Sequence, residues 1–192
     1  MCRVKCANSL AAYVLFAAIL ALATFACGTS GEAAPPETAA QVEPVTAIGD
    51  SVMLAANAQL QASGFVVSAE VGRQSWEALV VLEALQRDGR LSDRVVVHIG
   101  HNGPFSQDEF ERFVELVGPE RELVFLTVRV PRQWEAANNA VIAAGAARHP
   151  NVRVLDFRGA TDGRPELFWD DGLHLTPEGA DFYTAFLVEG MR

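Results

Sequence analysis

An α/β fold with a parallel sheet between two layers of helices is predicted by three features of the sequence. Short apolar segments alternate with longer segments of helical character. The apolar segments are continuous, as in strands buried on both faces of a parallel sheet. The region with this pattern, residues 44–192, is long enough to bury a core as one domain. We therefore expect a three-layer, doubly wound α/β/α domain with functional residues beyond the carboxyl ends of its strands.

Five apolar segments are the predicted strands. They span residues 45–49, 65–71, 94–99, 123–128 and 152–157. The third contains Val95-Val96-Val97, a run that is typical of a buried strand. Strands that alternate regularly with helices indicate a five-stranded parallel sheet of the flavodoxin-like kind.

Five further segments are the predicted helices. They span residues 51–62, 75–86, 108–117, 134–148 and 177–188. The second has five apolar side chains at helical spacing: Trp76, Leu79, Val80, Leu82 and Leu85. Ser106 is a good candidate for the cap of the third helix, and Pro177 stands in the first turn of the last.

Residues 1–26 predict a signal peptide or membrane anchor outside the fold. Basic residues Arg3 and Lys5 precede an almost wholly apolar run at 10–26, and small residues follow. Three interpretations stay open: a lipoprotein signal whose cleavage leaves Cys27 to carry lipid, ordinary cleavage before that residue, and an uncleaved anchor. Each places the rest of the chain outside the cytoplasm, either secreted or at the outer face of the cytoplasmic membrane or cell envelope.

Residues 27–43 are rich in Gly, Pro, Ala and Glu and have no periodicity, so they are predicted to be a flexible linker. The catalytic domain would then be residues 44–192. All three cysteines, Cys2, Cys6 and Cys27, precede that domain. A disulfide framework, a thiol nucleophile and a cysteine-based zinc site are therefore excluded from it.

The charge balance is acidic, with 15 Lys and Arg against 24 Asp and Glu and a formal charge of −9. Without residues 1–26 it deepens to −11, because that segment holds Arg3 and Lys5 and no acid. Half the residues are hydrophobic, which excludes an intrinsically disordered chain. Nucleic acid is not an expected partner, because gripping its phosphates needs a basic surface.

The first segment with chemical character is Ile48-Gly49-Asp50-Ser51-Val52, between the first strand and the first helix. Ser51 would have its hydroxyl at a helix N-terminus, where backbone N–H groups favour developing negative charge. The alternative is that Ser51 is simply the helix cap, since serine is among the residues preferred there.

The second segment, residues 98–104, follows the third strand and contains Gly100-His101-Asn102-Gly103. The amide of Asn102 could meet an oxyanion above the sheet, or Asn102 could be an ordinary turn residue. His98 and His101 fix no third ligand, so neither a metal site nor any other cofactor is expected.

The third segment, residues 169–179, precedes the last helix and contains Asp171-Gly172-Leu173-His174. His174 can act as a general base near neutral pH, and Asp171 can orient its imidazole. The alternative is an acidic loop with a surface histidine. The sequence has no Gly-x-Ser-x-Gly elbow, so the other α/β plan for serine hydrolases is unsupported.

Taken together, the order Ser51, Asn102, Asp171 and His174 resembles the SGNH hydrolase superfamily, the GDSL-type esterases and acyltransferases. The similarity extends from Pro44 to about residue 189. It implies the SGNH hydrolase fold, with a serine nucleophile, an aspartate and a base at the matching positions.

The same resemblance implies how an oxyanion would be held. The donors would be the backbone N–H groups of Ser51 and Gly72 and the side chain of Asn102.

A closer resemblance is to the extracytoplasmic SGNH domain of peptidoglycan O-acetyltransferases, which follows an acyltransferase-3 membrane domain. Four stretches carry it: residues 49–54, 71–74, 128–134 and 171–180. It suggests that Arg73, Gln74, Arg129 and Trp134 line an acceptor cleft, with core packing as the alternative for Trp134. One departure is His101, which stands beside Asn102 where that family usually has threonine.

The resemblance implies acetyl transfer through an acyl-serine, with an acyl ester donor and a carbohydrate acceptor as partners. The sequence contains no multi-span membrane domain, so a separate membrane acyltransferase is a further candidate partner, besides the membrane itself. O-acetyltransferase and O-acetyl esterase both stay open. The alternatives are a lipolytic or lysophospholipase-like esterase and a catalytically idle module that binds glycan or lipid.

Overall fold

The computed structural model describes residues 43–192. Their centre is a five-stranded sheet formed by β1 (Val45–Gly49), β2 (Phe65–Ala69), β3 (Arg94–His98), β4 (Glu122–Leu126) and β5 (Val152–Leu155). All four pairings are parallel, and the strand order is β2-β1-β3-β4-β5. The predicted α/β class with a five-stranded parallel sheet is confirmed. The signal or anchor at 1–26 and nearly all of the predicted linker lie outside the described residues.

Seven α-helices and one 3₁₀ turn, Pro165–Leu167, connect and cover the strands within residues 43–192. The helices are α1 (Ser51–Ala55), α2 (Asn57–Ala62), α3 (Ser75–Arg87), α4 (Gln107–Val117), α5 (Glu135–Ala146), α6 (Phe157–Ala160) and α7 (Pro177–Gly190). Ser106 caps α4 and forms a capping box with Glu109. No helix of this part of the chain has the length and apolar character needed to cross a bilayer.

Several element boundaries differ from the prediction. The expected helix 51–62 is two helices, because the chain turns at Ala56, whose N–H bonds to the carbonyl of Met53. The third and fourth strands end before Ile99 and Val128, although both side chains stay buried. Hydrophobic side chains therefore continue to pack in the core after the strand itself has ended. A sequence pattern predicts a longer strand at such positions.

The apolar pattern of α3 also predicts its buried face only in part. Trp76 and Val80 are more than half exposed, whereas Ala78 and Leu82 are buried. Trp76 and Val80 stand at the helical spacing of the apolar side chains, but they do not belong to the buried face of α3.

The core lies on both faces of the sheet. On one face, α1, α2 and α7 contribute Met53, Leu60 and Tyr183, which pack with Val96 and Val124. The opposite face holds a second cluster from α3, α4 and α5: Leu82, Phe110, Phe113 and Ile142, with Val95, Val97 and Phe125 from the strands. Successive strand residues therefore feed opposite layers, as the two-residue period of a strand requires.

The start of α7 is seated against the segment before it by a close backbone approach. A Cβ atom built on Gly179 would lie 1.9 Å from the carbonyl oxygen of Leu167. That same oxygen accepts a hydrogen bond from the N–H of Thr176, the cap of α7. Only glycine allows the first turn of α7 to approach so closely, and the loop that precedes α7 carries His174.

A buried polar cluster interrupts the apolar core at the end of β3. His98 is fully buried, and its Nδ1 accepts a hydrogen bond from the Tyr183 hydroxyl at 2.9 Å. Its Nε2 donates to the carbonyl of Thr127 at 3.3 Å. Burial, with a smaller contribution from the neighbouring His101, holds the pKa of His98 well below 6.5. His98 is therefore neutral in the folded protein.

Replacement of Gly179 by alanine should destabilise the protein by about 1–3 kcal/mol, the usual cost of forcing extra volume into a packed site. Urea denaturation measures the change. The adjacent, exposed Glu178→Ala is the control and should change stability by less than about 0.5 kcal/mol. Equal stability of the two variants would contradict the close contact with Leu167.

The buried, neutral His98 should make folding stability fall as the pH is lowered below about 6.5. There the unfolded chain binds a proton that the folded protein does not, so stability is retained above pH 6.5 and lost below it. His98 alone makes the free energy of unfolding change by about 1.4 kcal/mol per pH unit in this range. His98→Gln should remove that share of the slope. Urea midpoints between pH 5 and 8 that run parallel for the two proteins would refute it.

Candidate active site

Three loops meet at the carboxyl edge of the sheet. Ser51 follows β1, Asn102 follows the neighbouring strand β3, and His174 lies in the loop before α7. Because parallel strands end at the same edge, the order of the strands brings the first two loops side by side. The third is joined to the first by a hydrogen bond between Ser51 and His174.

The turn that carries Ser51 is shaped by its neighbours. A Cβ on Gly49 would lie 2.4 Å from the Cβ of Met53, so this tight strand-to-helix turn excludes a larger residue. Asp50 is the N-cap of α1, and its carboxylate accepts from the N–H of Val52 at 3.1 Å. The alternative in which Ser51 is the cap is therefore wrong. Ser51 is the first residue of α1 and is only 8% exposed.

A chain of hydrogen bonds runs from Ser51 to Asp171. The Ser51 Oγ lies 3.1 Å from Nε2 of His174. The Nδ1–H of that imidazole donates to Oδ2 of Asp171 at 2.6 Å. This second bond fixes the tautomer, so Nε2 is left with a lone pair directed at the serine hydroxyl.

Asp171 is held ionised by the groups around it. Its Oδ1 accepts from the backbone N–H groups of Leu173 at 2.9 Å and His174 at 3.0 Å. The hydrogen bond from the His174 side chain, followed by these two backbone bonds, lowers the pKa of Asp171 to about 2. The carboxylate can therefore stabilise an imidazolium across the ordinary pH range without taking its proton.

The loop that holds Asp171 and His174 has a backbone frame of its own. Phe168 and Leu175 form an antiparallel bridge at its base. The N–H of Trp169 donates to the carbonyl of His174, and the N–H of Gly172 donates to the carbonyl of Trp169, both at 2.8 Å. Gly172 has φ of +67°, a conformation that favours glycine.

All three predicted oxyanion residues, Ser51, Gly72 and Asn102, have an N–H group that is available to a ligand. Within residues 43–192, the backbone N–H groups of Ser51 and Gly72 donate to no other group. Gly72 is exposed, has φ of +74° and has open space where a Cβ would be. The Asn102 amide donates one hydrogen bond, to the carbonyl of Arg73 at 3.2 Å, which leaves a second N–H for a ligand.

Gln74 joins two of these loops. Its amide nitrogen donates to the carbonyls of Gly72 at 3.3 Å and Asn102 at 3.1 Å. Gln74 is also the N-cap residue of α3, and its backbone N–H donates to the Glu77 carboxylate at 2.8 Å. The predicted cleft residue Gln74 thus lies between the two candidate oxyanion loops.

The guanidinium of Arg73 points into the protein. The residue is 6% exposed, and Nη1 donates to the carbonyls of Gly49 at 3.0 Å and Ser68 at 2.5 Å. Its other end pairs with Glu70. These bonds tie the end of β1 to the end of β2, so the structure places Arg73 behind the predicted cleft rather than in it.

The other two predicted cleft residues, Trp134 and Arg129, lie in different surroundings. Trp134 is half-buried and packs against the core on the side of α3, α4 and α5, as its alternative interpretation expects. Arg129 lines an open cavity of about 630 Å³ that extends to Gly172 in the histidine loop.

A buried pair that the sequence did not predict lies directly behind the site. The Nδ1–H of His101 donates to Oδ2 of Asp50 at 2.7 Å, and neither side chain is exposed to solvent. Burial raises the pKa of Asp50, but the opposing interaction with His101 prevails and the pKa is lowered. Their positions in the sequence could have predicted this pair. Asp50 and His101 follow adjacent parallel strands, and each stands one residue before a predicted site residue, Ser51 or Asn102.

His98 and His101 do not belong to a larger ligand set. Their rings meet edge to face with centroids 4.5 Å apart. Among residues 43–192, no three His, Cys, Asp or Glu side chains are grouped so that they could hold a metal ion.

Comparison with known proteins finds sequence relatives among the O-acetyltransferases. The chain is 33% identical over 162 residues to the peptidoglycan O-acetyltransferase OatA of Listeria monocytogenes, which covers 83% of this chain and 25% of the relative. It is 31% identical over 155 residues to the O-acetyltransferase OatA of Staphylococcus aureus, covering 76% of this chain and 24% of the relative. The chain thus spans about a quarter of the length of these relatives. No family model matches it.

Solved structures share the fold at lower sequence identity. The C-terminal catalytic domain of peptidoglycan O-acetyltransferase A from Streptococcus pneumoniae superposes with a TM-score of 0.69 at 21% identity, covering 78% of this chain and 92% of that one. A lipase/acylhydrolase from Enterococcus faecalis gives 0.62 at 18% identity, covering 78% and 95%. The predicted resemblance is confirmed: the described domain has the fold of the SGNH and GDSL-type hydrolases, and its homologues are peptidoglycan O-acetyltransferases.

Proposed function

We propose that this chain is a serine-dependent acyl-transfer enzyme that acts on acetyl esters of cell-wall carbohydrate. The observation that carries the proposal is the continuous hydrogen-bonded chain from Ser51 through His174 to Asp171. The homology to peptidoglycan O-acetyltransferases supports the substrate class. Ser51 is the proposed nucleophile, His174 the general base and Asp171 the group that orients it.

In the first half-reaction, the Oγ of Ser51 attacks the acetyl carbonyl while Nε2 of His174 takes the hydroxyl proton. Asp171 stabilises the imidazolium. The tetrahedral oxyanion is met by the N–H groups of Ser51 and Gly72 and by the Asn102 amide. When the intermediate collapses, the imidazolium gives its proton to the departing alcohol, and acetyl-Ser51 remains.

The second half-reaction repeats these steps in reverse. His174 takes a proton from an incoming hydroxyl, whose oxygen attacks acetyl-Ser51, and the free serine regains its proton from the imidazolium. A sugar hydroxyl as acceptor makes the enzyme an O-acetyltransferase. Water as acceptor makes it an O-acetyl esterase.

The proposed location is outside the cytoplasm, at the cell envelope, where peptidoglycan is found. Residues 1–26 would direct the chain to the membrane, with lipid attachment at Cys27 as one route. A separate membrane acyltransferase is a proposed source of acetyl groups. The support is the combination of the apolar N-terminal run and relatives that are about four times longer than the matched segment.

Ser51→Ala should abolish hydrolysis of 4-nitrophenyl acetate by the purified protein, because no other group would accept the acetyl. Ser63→Ala, at the exposed C-cap of α2, is the matched control and should keep the wild-type rate. A serine-directed organophosphonate should label the wild type at Ser51. Full activity of Ser51→Ala would overturn the mechanism, and an unlabelled, inactive wild type would favour the idle binding module.

Asn102→Ala should lower kcat for the same ester by about 10²–10³, the usual effect of removing one oxyanion donor. The KM should change far less, because the donor acts mainly on the charged intermediate. Asn57→Ala is the control and should retain kcat, because within residues 43–192 the Asn57 side chain bonds only to Gln61, on the same helix. A change confined to KM would remove Asn102 from the oxyanion site.

A further inference from the structure

A second site adjoins the histidine loop at the same edge of the sheet. The cavity of about 630 Å³ is lined by arginines from two neighbouring strand ends, Arg129 after β4 and Arg158 in α6 after β5. Arg132 lines it as well, and so does Gly172, which stands two residues before His174 in the sequence. Its volume is that of a small-molecule site.

Arg129 carries a charge that the described part of the chain does not neutralise. Its guanidinium lies 4.0 Å over the ring of Phe168, and Nη1 donates to the carbonyl of Thr161 at 2.8 Å. Within residues 43–192, no carboxylate lies within 4.0 Å of it. The contact with Phe168 holds the guanidinium over the ring, and most of its N–H donors bind no acceptor among the described residues.

The surroundings penalise this charge. Burial first, and then the positive charge of Arg158, lower the pKa of Arg129, and the smaller opposing effects of Glu135 and Asp162 do not cancel them. An anion bound beside Arg129 would relieve both penalties, because it would replace lost hydration and screen the neighbouring cation.

The acids near the cavity are already engaged. Glu135 lines it, but Oε1 pairs with Arg158 at 3.0 Å and Oε2 accepts from the N–H of Val130 at 2.7 Å. Asp162 pairs with Arg158 at 3.2 Å, and Asp171 is bound to His174. By contrast, Arg132 is exposed, and its only hydrogen bond among the described residues is to the carbonyl of Pro131.

The lining of the cavity is therefore positively charged, whereas the domain as a whole is acidic. Residues 43–192 hold 22 acidic side chains and 13 arginines, yet the cavity lining has three arginines and one carboxylate. Glu135 and Asp162 offset the charge of Arg158. The uncompensated positive charge in this lining is therefore that of Arg129 and Arg132, and it favours anionic ligands.

We propose that this cavity is an anion subsite that binds a carboxylate on the carbohydrate whose hydroxyl exchanges its proton with His174. The inference rests on the proposed function, because it takes the carbohydrate to be the alcohol that gives up or receives the acetyl group. Gly172 connects the two sites, because it lies between Asp171 and His174 in the sequence and also lines the cavity. The guanidinium of Arg129 matches a carboxylate in a planar, two-bond arrangement.

The test measures binding to Ser51→Ala protein, so that turnover plays no part. Three probes share one hexose ring and differ at carbon 6: glucuronic acid, the uncharged glucuronamide and glucose 6-phosphate. Titration followed by NMR should give roughly tenfold tighter binding of glucuronic acid than of glucuronamide, the size expected for one charge-assisted pair. Added salt should reduce this preference.

Adding Arg129→Gln should remove the preference for the acid by weakening its binding about tenfold. Arg132→Gln, at an exposed position that tolerates change, should reduce the preference and provides a second variant if the first does not fold. Arg148→Gln is the control: it removes an arginine that pairs with Glu111 at the far end of α5, and it should keep the preference.

Equal affinity for the acid and the amide, or a preference that survives both arginine changes, would overturn the proposal. Tighter binding of glucose 6-phosphate than of glucuronic acid would overturn the assignment to a carboxylate. The proposed function fails by a separate result, namely wild-type protein that neither hydrolyses 4-nitrophenyl acetate nor labels at Ser51. The two failures are therefore distinguishable.

Discussion

The contact between Asp50 and His101 is the interaction on which the candidate site most depends. It joins the ends of β1 and β3 at 2.7 Å, with both side chains fully buried. Asp50 stands directly before Ser51 and also caps α1, while His101 stands directly before Asn102. One carboxylate thus sets the position of the turn that carries Ser51, the proposed nucleophile, relative to the Asn102 amide. Removing either partner of such a pair leaves a buried polar group without compensation, which is far more costly than losing a surface contact.

The remaining parts of the site are attached to this pair by further polar contacts. Arg73 binds the carbonyl of Gly49 and ties the β1 end to β2, and Gln74 connects the Gly72 and Asn102 loops. On the other side, Gly179 lets α7 seat against the chain before the histidine loop. The apolar layers position the strands, whereas hydrogen bonds to main-chain carbonyls position the loops. Preorganisation of this kind is what an oxyanion site requires.

Much of the fold could be predicted because its signals are local, whereas the grouping of Ser51, Asp171 and His174 was expected from the resemblance to a known family. Continuous apolar strands identify a doubly covered sheet, and the Asp171–His174 spacing places acid and base on one short loop. What could not be predicted depends on side-chain direction after folding. Arg73 and Arg129 are alike in sequence character, yet one points into the interior and the other lines a cavity. The exposure of Trp76 and the capping of α1 by Asp50 rather than Ser51 are likewise decided by tertiary packing.

The half-exposed state of the histidine loop has a kinetic consequence. The side chains of His174 and Asp171 are 44% and 48% exposed, whereas Ser51 is almost buried. In the proposed mechanism, bulk water could therefore reach His174 directly, and neither of these two side chains would cover an acyl-serine. The partition of the acyl group between water and sugar then depends on how long an acceptor remains beside the base. Under the proposed function, residence time at the neighbouring surface, more than the candidate triad itself, would decide whether acetyl groups are added or removed.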